Sequence, residues 1–99
     1  MAAVLRLSPS ICVYQDENYE NVIIEVALPG VEKKDISFKI SDSGFYVRAT
    51  KEGVKYADSY AFWCPVEPEK AGANYSNGLL KVTVPYKQTL EKLVNVKIE

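Results

Sequence analysis

Between residues 11 and 84 apolar and polar side chains alternate along most of the chain, and no stretch ahead of the tail holds apolar residues at helical spacing. Because successive side chains of a strand point to opposite faces, this pattern predicts half-buried strands. Ile11 to Gln15 reads as a first short strand, closed by the polar cluster Asp16-Glu17-Asn18. Val22, Ile24, Val26 and Leu28 alternate with Ile23, Glu25 and Ala27, which gives a second strand with one core face. Pro29-Gly30 ends it, since proline lacks a ladder N–H and glycine tolerates the angles of a reversal. Ile36, Phe38 and Ile40 define a third strand, and Asp42-Ser43-Gly44 a tight turn with positive φ expected at the glycine. Phe45, Val47 and Ala49 should then face inward on a fourth strand, with Tyr46, Arg48 and Thr50 outward.

Residues 51–57 read as a connection, followed by a fifth strand with Tyr60, Phe62 and Cys64 on its buried side and Pro65 at its end. Residues 66–72 read as a polar loop, and 73–75 as a very short sixth strand. Asn77-Gly78 is the strongest hairpin signal, both residues accepting the φ > 0 of a type I′ turn. It leads into Leu80, Val82 and Val84 on a seventh strand closed by Pro85. Leu90 to Leu93 has room for one helical turn, whereas Val94 to Ile98, β-branched at alternate positions, reads as extended. About seven strands with frequent turn signals predict an all-β sandwich of two antiparallel sheets, a pattern that an immunoglobulin-like module fits equally well. Trp63, alternating with Phe62 and Cys64, is expected on the outer face, where an exposed indole points to contact with another chain.

Composition narrows the function. The 99 residues suit one domain, divided here into a short arm over 1–10, a sandwich over 11–86 and a tail over 87–99. Twelve basic and thirteen acidic side chains leave a net charge of −1, which offers no large overall field for nucleic acid or anionic lipid. The opening residues are too short for a secretory signal and no run is long enough to span a bilayer, so a cytoplasmic protein is the expectation. There is no histidine, which removes the commonest general base and metal ligand, and Cys12 and Cys64 form no C-x-x-C pair. Neither an enzyme nor a cofactor or metal site is expected, and both cysteines are expected to be buried as small apolar side chains. Asp16, Glu17, Glu20, Glu67 and Glu69 lack the Asp/Asn-x-Asp ladder and glycine of a calcium loop and read as solvated turns. The tyrosines lack the basic interleaving of a base-stacking surface.

Two segments carry a family resemblance. Val26-Ala27-Leu28-Pro29-Gly30-Val31-Glu32-Lys33-Lys34-Asp35-Ile36 resembles the strand, Leu-Pro-Gly turn and acidic-Ile re-entry of the α-crystallin domain of small heat shock proteins. Ala73-Asn74-Tyr75-Ser76-Asn77-Gly78-Leu79-Leu80 is similar to that domain's closing signature, and Phe62-x-Cys64-Pro65 stands where the family has an aromatic residue followed by Leu-Pro. The resemblance covers residues 11–86. It implies an ATP-independent chaperone of the cytoplasmic stress response that binds unfolding clients and forms homo-oligomers. A co-chaperone-like CS domain or adaptor on the same fold is the alternative.

The resemblance extends to the tail, where Val96-Lys97-Ile98 matches the family's Ile-x-Ile docking motif with valine in first place. Alternate side chains of an extended segment enter one groove together, leaving Lys97 in water. The implied receiving groove is Ile36, Phe38 and Ile40 with Tyr75, Leu79 and Leu80, and a linker from Pro85 to Val96 spans up to roughly 35 Å. Pro29, Gly30, Asn77 and Gly78 are the turn-signature positions. Three features depart from the family pattern: a short arm carrying Val4, Leu5 and Leu7, the brief 51–57 connection that leaves no room for a strand donated to a partner, and Tyr60 in place of a dimer-contact arginine. They imply reduced chaperone activity and an edge-to-edge dimer or a monomer instead of a strand-swapped one.

Overall fold

The computed structural model describes residues 4–87 and 94–99. The strands are β1 (Leu5–Leu7), β2 (Ser10–Gln15), β3 (Asn21–Ala27), β4 (Ile36–Ile40), β5 (Gly44–Lys51), β6 (Val54–Ala61), β7 (Gly72–Ser76) and β8 (Leu79–Pro85). Single turns of 3₁₀ helix at Lys33–Asp35 and Pro68–Lys70 lie in the longer loops. The strands form two four-stranded sheets, ordered β1-β6-β5-β4 and β2-β3-β8-β7. All pairings between strands are antiparallel except that of β1 with β6.

The period-two pattern decides the core. Val22, Ile24 and Val26 of β3 stand opposite Val84, Val82 and Leu80 of β8, and all six are buried. Phe45, Val47 and Ala49 of β5 are buried from the other sheet, as predicted, with Leu28, Val31, Tyr56 and Val66 closing the layer. Each fully buried Val, Leu or Ile contributes about 1.5–3 kcal/mol of transfer free energy. Asn77 and Gly78 both adopt positive φ, 53° and 79°, as the type I′ turn requires. A Cβ on Gly78 would also meet the Cα of Pro29 at 3.2 Å, so the β7–β8 turn is pressed against the Leu28-Pro29 reversal.

Several expectations give way. The arm contains an eighth strand, β1, which three residues with no alternation partner could not announce. Residues 51–57 are no open connection: Glu52-Gly53 is a tight turn, with φ of 75° at Gly53, and β6 begins at Val54. Strand β6 ends at Ala61, so the predicted inward row holds only in part: Tyr60 lies opposite Phe45 and stacks on it but stays 39% exposed, Phe62 is half-buried against the core, and Cys64 is exposed. Cys12 is exposed as well, because it alternates with the half-buried Ile11 and Val13. Val66, placed by its polar neighbours in a loop, is fully buried through an isolated bridge to Tyr86. Gly44 does not need positive φ; a Cβ there would collide with the Tyr60 carbonyl oxygen, so it serves the close approach of β5 and β6. The helical turn considered for Leu90 to Leu93 lies outside the described residues.

Ile24 is the largest fully buried side chain, so Ile24→Ala should lower unfolding stability by about 2–5 kcal/mol. Urea denaturation should show a lower midpoint at an unchanged slope; a loss below 1 kcal/mol would mean that this layer does not carry the fold.

Candidate functional site

Among the described residues four strands have one unpaired edge: β1 and β4 in one sheet, β2 and β7 in the other. Ser8 and Pro9 join β1 directly to β2, which places those two edges on one flank, so β4 and β7 border the other. The phenol of Tyr75 on β7 donates to the carbonyls of Leu28 at 2.8 Å and Val31 at 2.6 Å, tying β7 to the loop that leads into β4.

Along the β4/β7 flank the structure separates the six residues expected to line a groove. Ile36, Phe38 and Ile40 sit on one face of β4, half-buried against the core, with Phe38 stacked on Phe45 at 5.1 Å between centroids. Tyr75 is half-buried and Leu80 belongs to the core. Leu79 is exposed on the opposite face, because neighbours on a strand cannot point the same way. The flank therefore offers an apolar row on β4 and the Tyr75 ring. Residues 94–99 belong to no helix or strand, and Val94, Val96 and Ile98 are 83%, 82% and 94% exposed.

The opposite flank holds an aromatic hollow that sequence reasoning missed. Val13 and Tyr14 on β2, Tyr60 on β6, Phe62, Trp63 and Tyr86 surround a space of about 310 Å³. Trp63 is 95% exposed, in agreement with the expectation of an outward indole. Only the meeting of three distant segments builds this hollow; the one local signal was the Phe62-Trp63 pair just before Pro65. The bordering strand β2, Ser-Ile-Cys-Val-Tyr-Gln, carries no charge, proline or glycine to discourage pairing along its free edge.

The β2–β3 turn is internally braced. Asp16 accepts hydrogen bonds at Oδ1 from the backbone N–H groups of Glu20, 2.9 Å, and Asn21, 3.2 Å, and at Oδ2 from Asn21 Nδ2 at 2.7 Å. These bonds favour the ionised carboxylate, the Asn21 side chain first, and hold Asp16 below its ordinary pKa. Tyr14 donates to Glu25 at 2.8 Å, and this bond to a carboxylate raises its pKa. Among the described residues no group of three or more His, Cys, Asp or Glu is placed to hold a metal ion. What the surface offers is binding: free backbone edges, an apolar row and an aromatic hollow.

Comparison with known proteins agrees with this architecture. The CS domain family profile matches residues 10–85. The chain is 34% identical to Heat shock protein 16 of Schizosaccharomyces pombe over 98 residues, covering 81% of this chain and 67% of the relative. It is 26% identical to the probable 15 kDa heat shock protein of Leptospira interrogans over 107 residues, 94% of this chain and 81% of the relative. Among solved structures, Heat shock protein 16.0 from Schizosaccharomyces pombe superposes with a TM-score of 0.73 at 24% identity, over 95% of this chain and 77% of that one. A small heat-shock protein from Xylella fastidiosa gives 0.71 at 11% identity, over 94% and 97%. These two structures, at such identities, speak for the fold.

The β-sandwich with open edges thus defines the class shared by CS and α-crystallin domains. Within it, the chain belongs to the small heat shock protein family. Small heat shock proteins are non-enzymatic chaperones, so this chain is not an enzyme. The family typically oligomerises and binds clients. Among the described residues no helix is long and apolar enough to cross a membrane.

A folded pKa below the unfolded one means that the Asp16 contribution is complete above the ordinary aspartate range and is lost as pH falls through the folded value. A carboxyl NMR titration should therefore place Asp16 below a normal aspartate, and Asn21→Ala should move it upward. An unchanged titration in that variant would remove Asn21 as the cause.

Proposed function

We propose that this protein is an ATP-independent holdase of the cytoplasm, which captures unfolding proteins on its apolar surfaces and assembles into homo-oligomers through its tail and its sheet edges. The observation that carries the reading is the pairing of an exposed Val96-Lys97-Ile98 tail with a half-buried apolar row on an edge strand. Val96 and Ile98, two residues apart, project together once the segment adds to a sheet edge as a strand. Ile36, Phe38 and Ile40 of β4, flanked by the Tyr75 ring, offer the matching row and a free backbone edge for strand addition. Leu79, turned to the outer face, stands outside this receiving surface, and Leu80 supports it from within the core. The aromatic hollow beside β2 gives clients a second apolar surface.

The tight Glu52-Gly53 turn bears on the mode of assembly. β5 passes into β6 with no excursion between them, so this segment has no strand to donate and a dimer must form edge to edge. A second reading, a co-chaperone-like adaptor, draws support from the CS domain match over residues 10–85 and from the same turn.

The double variant Val96→Ser/Ile98→Ser should form smaller assemblies by light scattering, at least halving the mean mass of any species larger than a dimer; an unchanged mass refutes tail docking. Heated without nucleotide beside a fragile client, the intact protein should suppress light scattering at an equimolar ratio. Unchanged scattering, together with capture of one native partner in fixed stoichiometry, would establish the adaptor instead.

A further inference from the structure

The net charge of −1 conceals a segregation of charge. On the sheet β1-β6-β5-β4, the residues that alternate with the buried row face solvent. Among them are Arg6, Lys39, Arg48 and Lys55, and none is a carboxylate. Arg6 and Lys55 stand directly opposite each other in the β1–β6 register, an arrangement of like charges that costs stability. Among the described residues, none of the four cations has a carboxylate within 4.0 Å. Arg48 and Lys55, with Ser37, Thr50, the carboxylate of Asp35 and Lys34, which is itself paired with Glu32 at 3.4 Å, line a hollow of about 340 Å³ on this side.

The complementary charge lies on the other sheet, at the β2–β3 turn. Glu17 and Glu20 flank Tyr19, which is 58% exposed and held at φ 54°, a left-handed conformation uncommon outside glycine. The Asp16 hydrogen bonds to Glu20 and Asn21, with Tyr19 N–H donating to the Asp16 carbonyl at 3.1 Å, fix this tip before any contact forms. A rigid knob loses little conformational entropy on docking.

We propose that the Glu17–Glu20 tip of one copy docks into the cationic hollow of a second, making a head-to-tail contact between subunits that is independent of the tail. Glu17 and Glu20 neutralise Arg48 and Lys55 and relieve the Arg6–Lys55 opposition. The Tyr19 ring enters beside Ser37 and Thr50, where its face meets the guanidinium or ammonium group. The two surfaces are different patches of one chain, so the contact is heterologous and leads to rings or open arrays, not to a closed pair. This extends beyond the holdase reading and does not rest on it.

The test uses the full chain carrying Val96→Ser/Ile98→Ser, so that tail docking plays no part. Sedimentation velocity at about 0.1 M and 1 M salt, where the screening length falls from roughly 10 to 3 Å, should show association at the lower salt that is lost at the higher. In that background, Arg48→Glu/Lys55→Glu and Glu17→Lys/Glu20→Lys should each weaken association at least about tenfold at low salt. Each variant then carries one sign on both tip and hollow. Mixing the two restores opposite signs at both contacts and should restore association, whereas a merely unfolded variant would not be rescued. If the reversed variants associate as their parent does, or if the mixture stays at the mass of its components, the contact is refuted.

Discussion

The β3–β8 ladder sets the terms for the rest of the molecule. Val22, Ile24 and Val26 face Val84, Val82 and Leu80 across it, and this apolar layer can leave water only by meeting a second sheet. Phe45, Val47 and Ala49 of β5 supply that sheet's contribution. Two layers of four strands bury their inner faces without closing into a barrel, so among the described residues each sheet keeps two free edges. The edges are a consequence of how the core is built. In a family that typically oligomerises and binds clients, such edges are surfaces the fold itself makes available.

The two flanks differ in chemistry. Beside β4 and β7 the apolar side chains are half-buried and anchored, Phe38 by stacking on Phe45 and Tyr75 by its bonds to Leu28 and Val31. That flank presents a preformed row. Beside β1 and β2, Trp63 and Tyr60 stand over a hollow whose walls come from both sheets and from the chain after β8. Charge adds a third element, with cations collected on one sheet face and the acidic tip carried by the opposite sheet.

Family membership and local physics agree on the turns. Pro29-Gly30 and Asn77-Gly78 meet in space, with the Leu28 N–H donating to the Gly78 carbonyl at 2.7 Å and Gly78 too close to Pro29 for a side chain. The two segments that carried the resemblance to the α-crystallin domain are thus one packed junction at the end of the β3–β8 ladder. Their spacing along the chain follows from a contact that forms only in the fold.

By itself the sequence determined the sandwich class, the buried faces of β3, β5 and β8, and the Asn77-Gly78 reversal, because alternation and turn chemistry act between near neighbours. Tertiary structure alone decided where β6 begins and ends, that Val66 is core, that both cysteines are exposed, and that Leu79 turns away from the flank Leu80 supports. The three-residue β1 exists only because β6 offers it an edge, and the aromatic hollow only because residues 13, 60, 63 and 86 converge. The placement of charge belongs to the same group: a sum over the chain gives −1, but which signs share a face depends on strand register, a relation between segments distant in sequence.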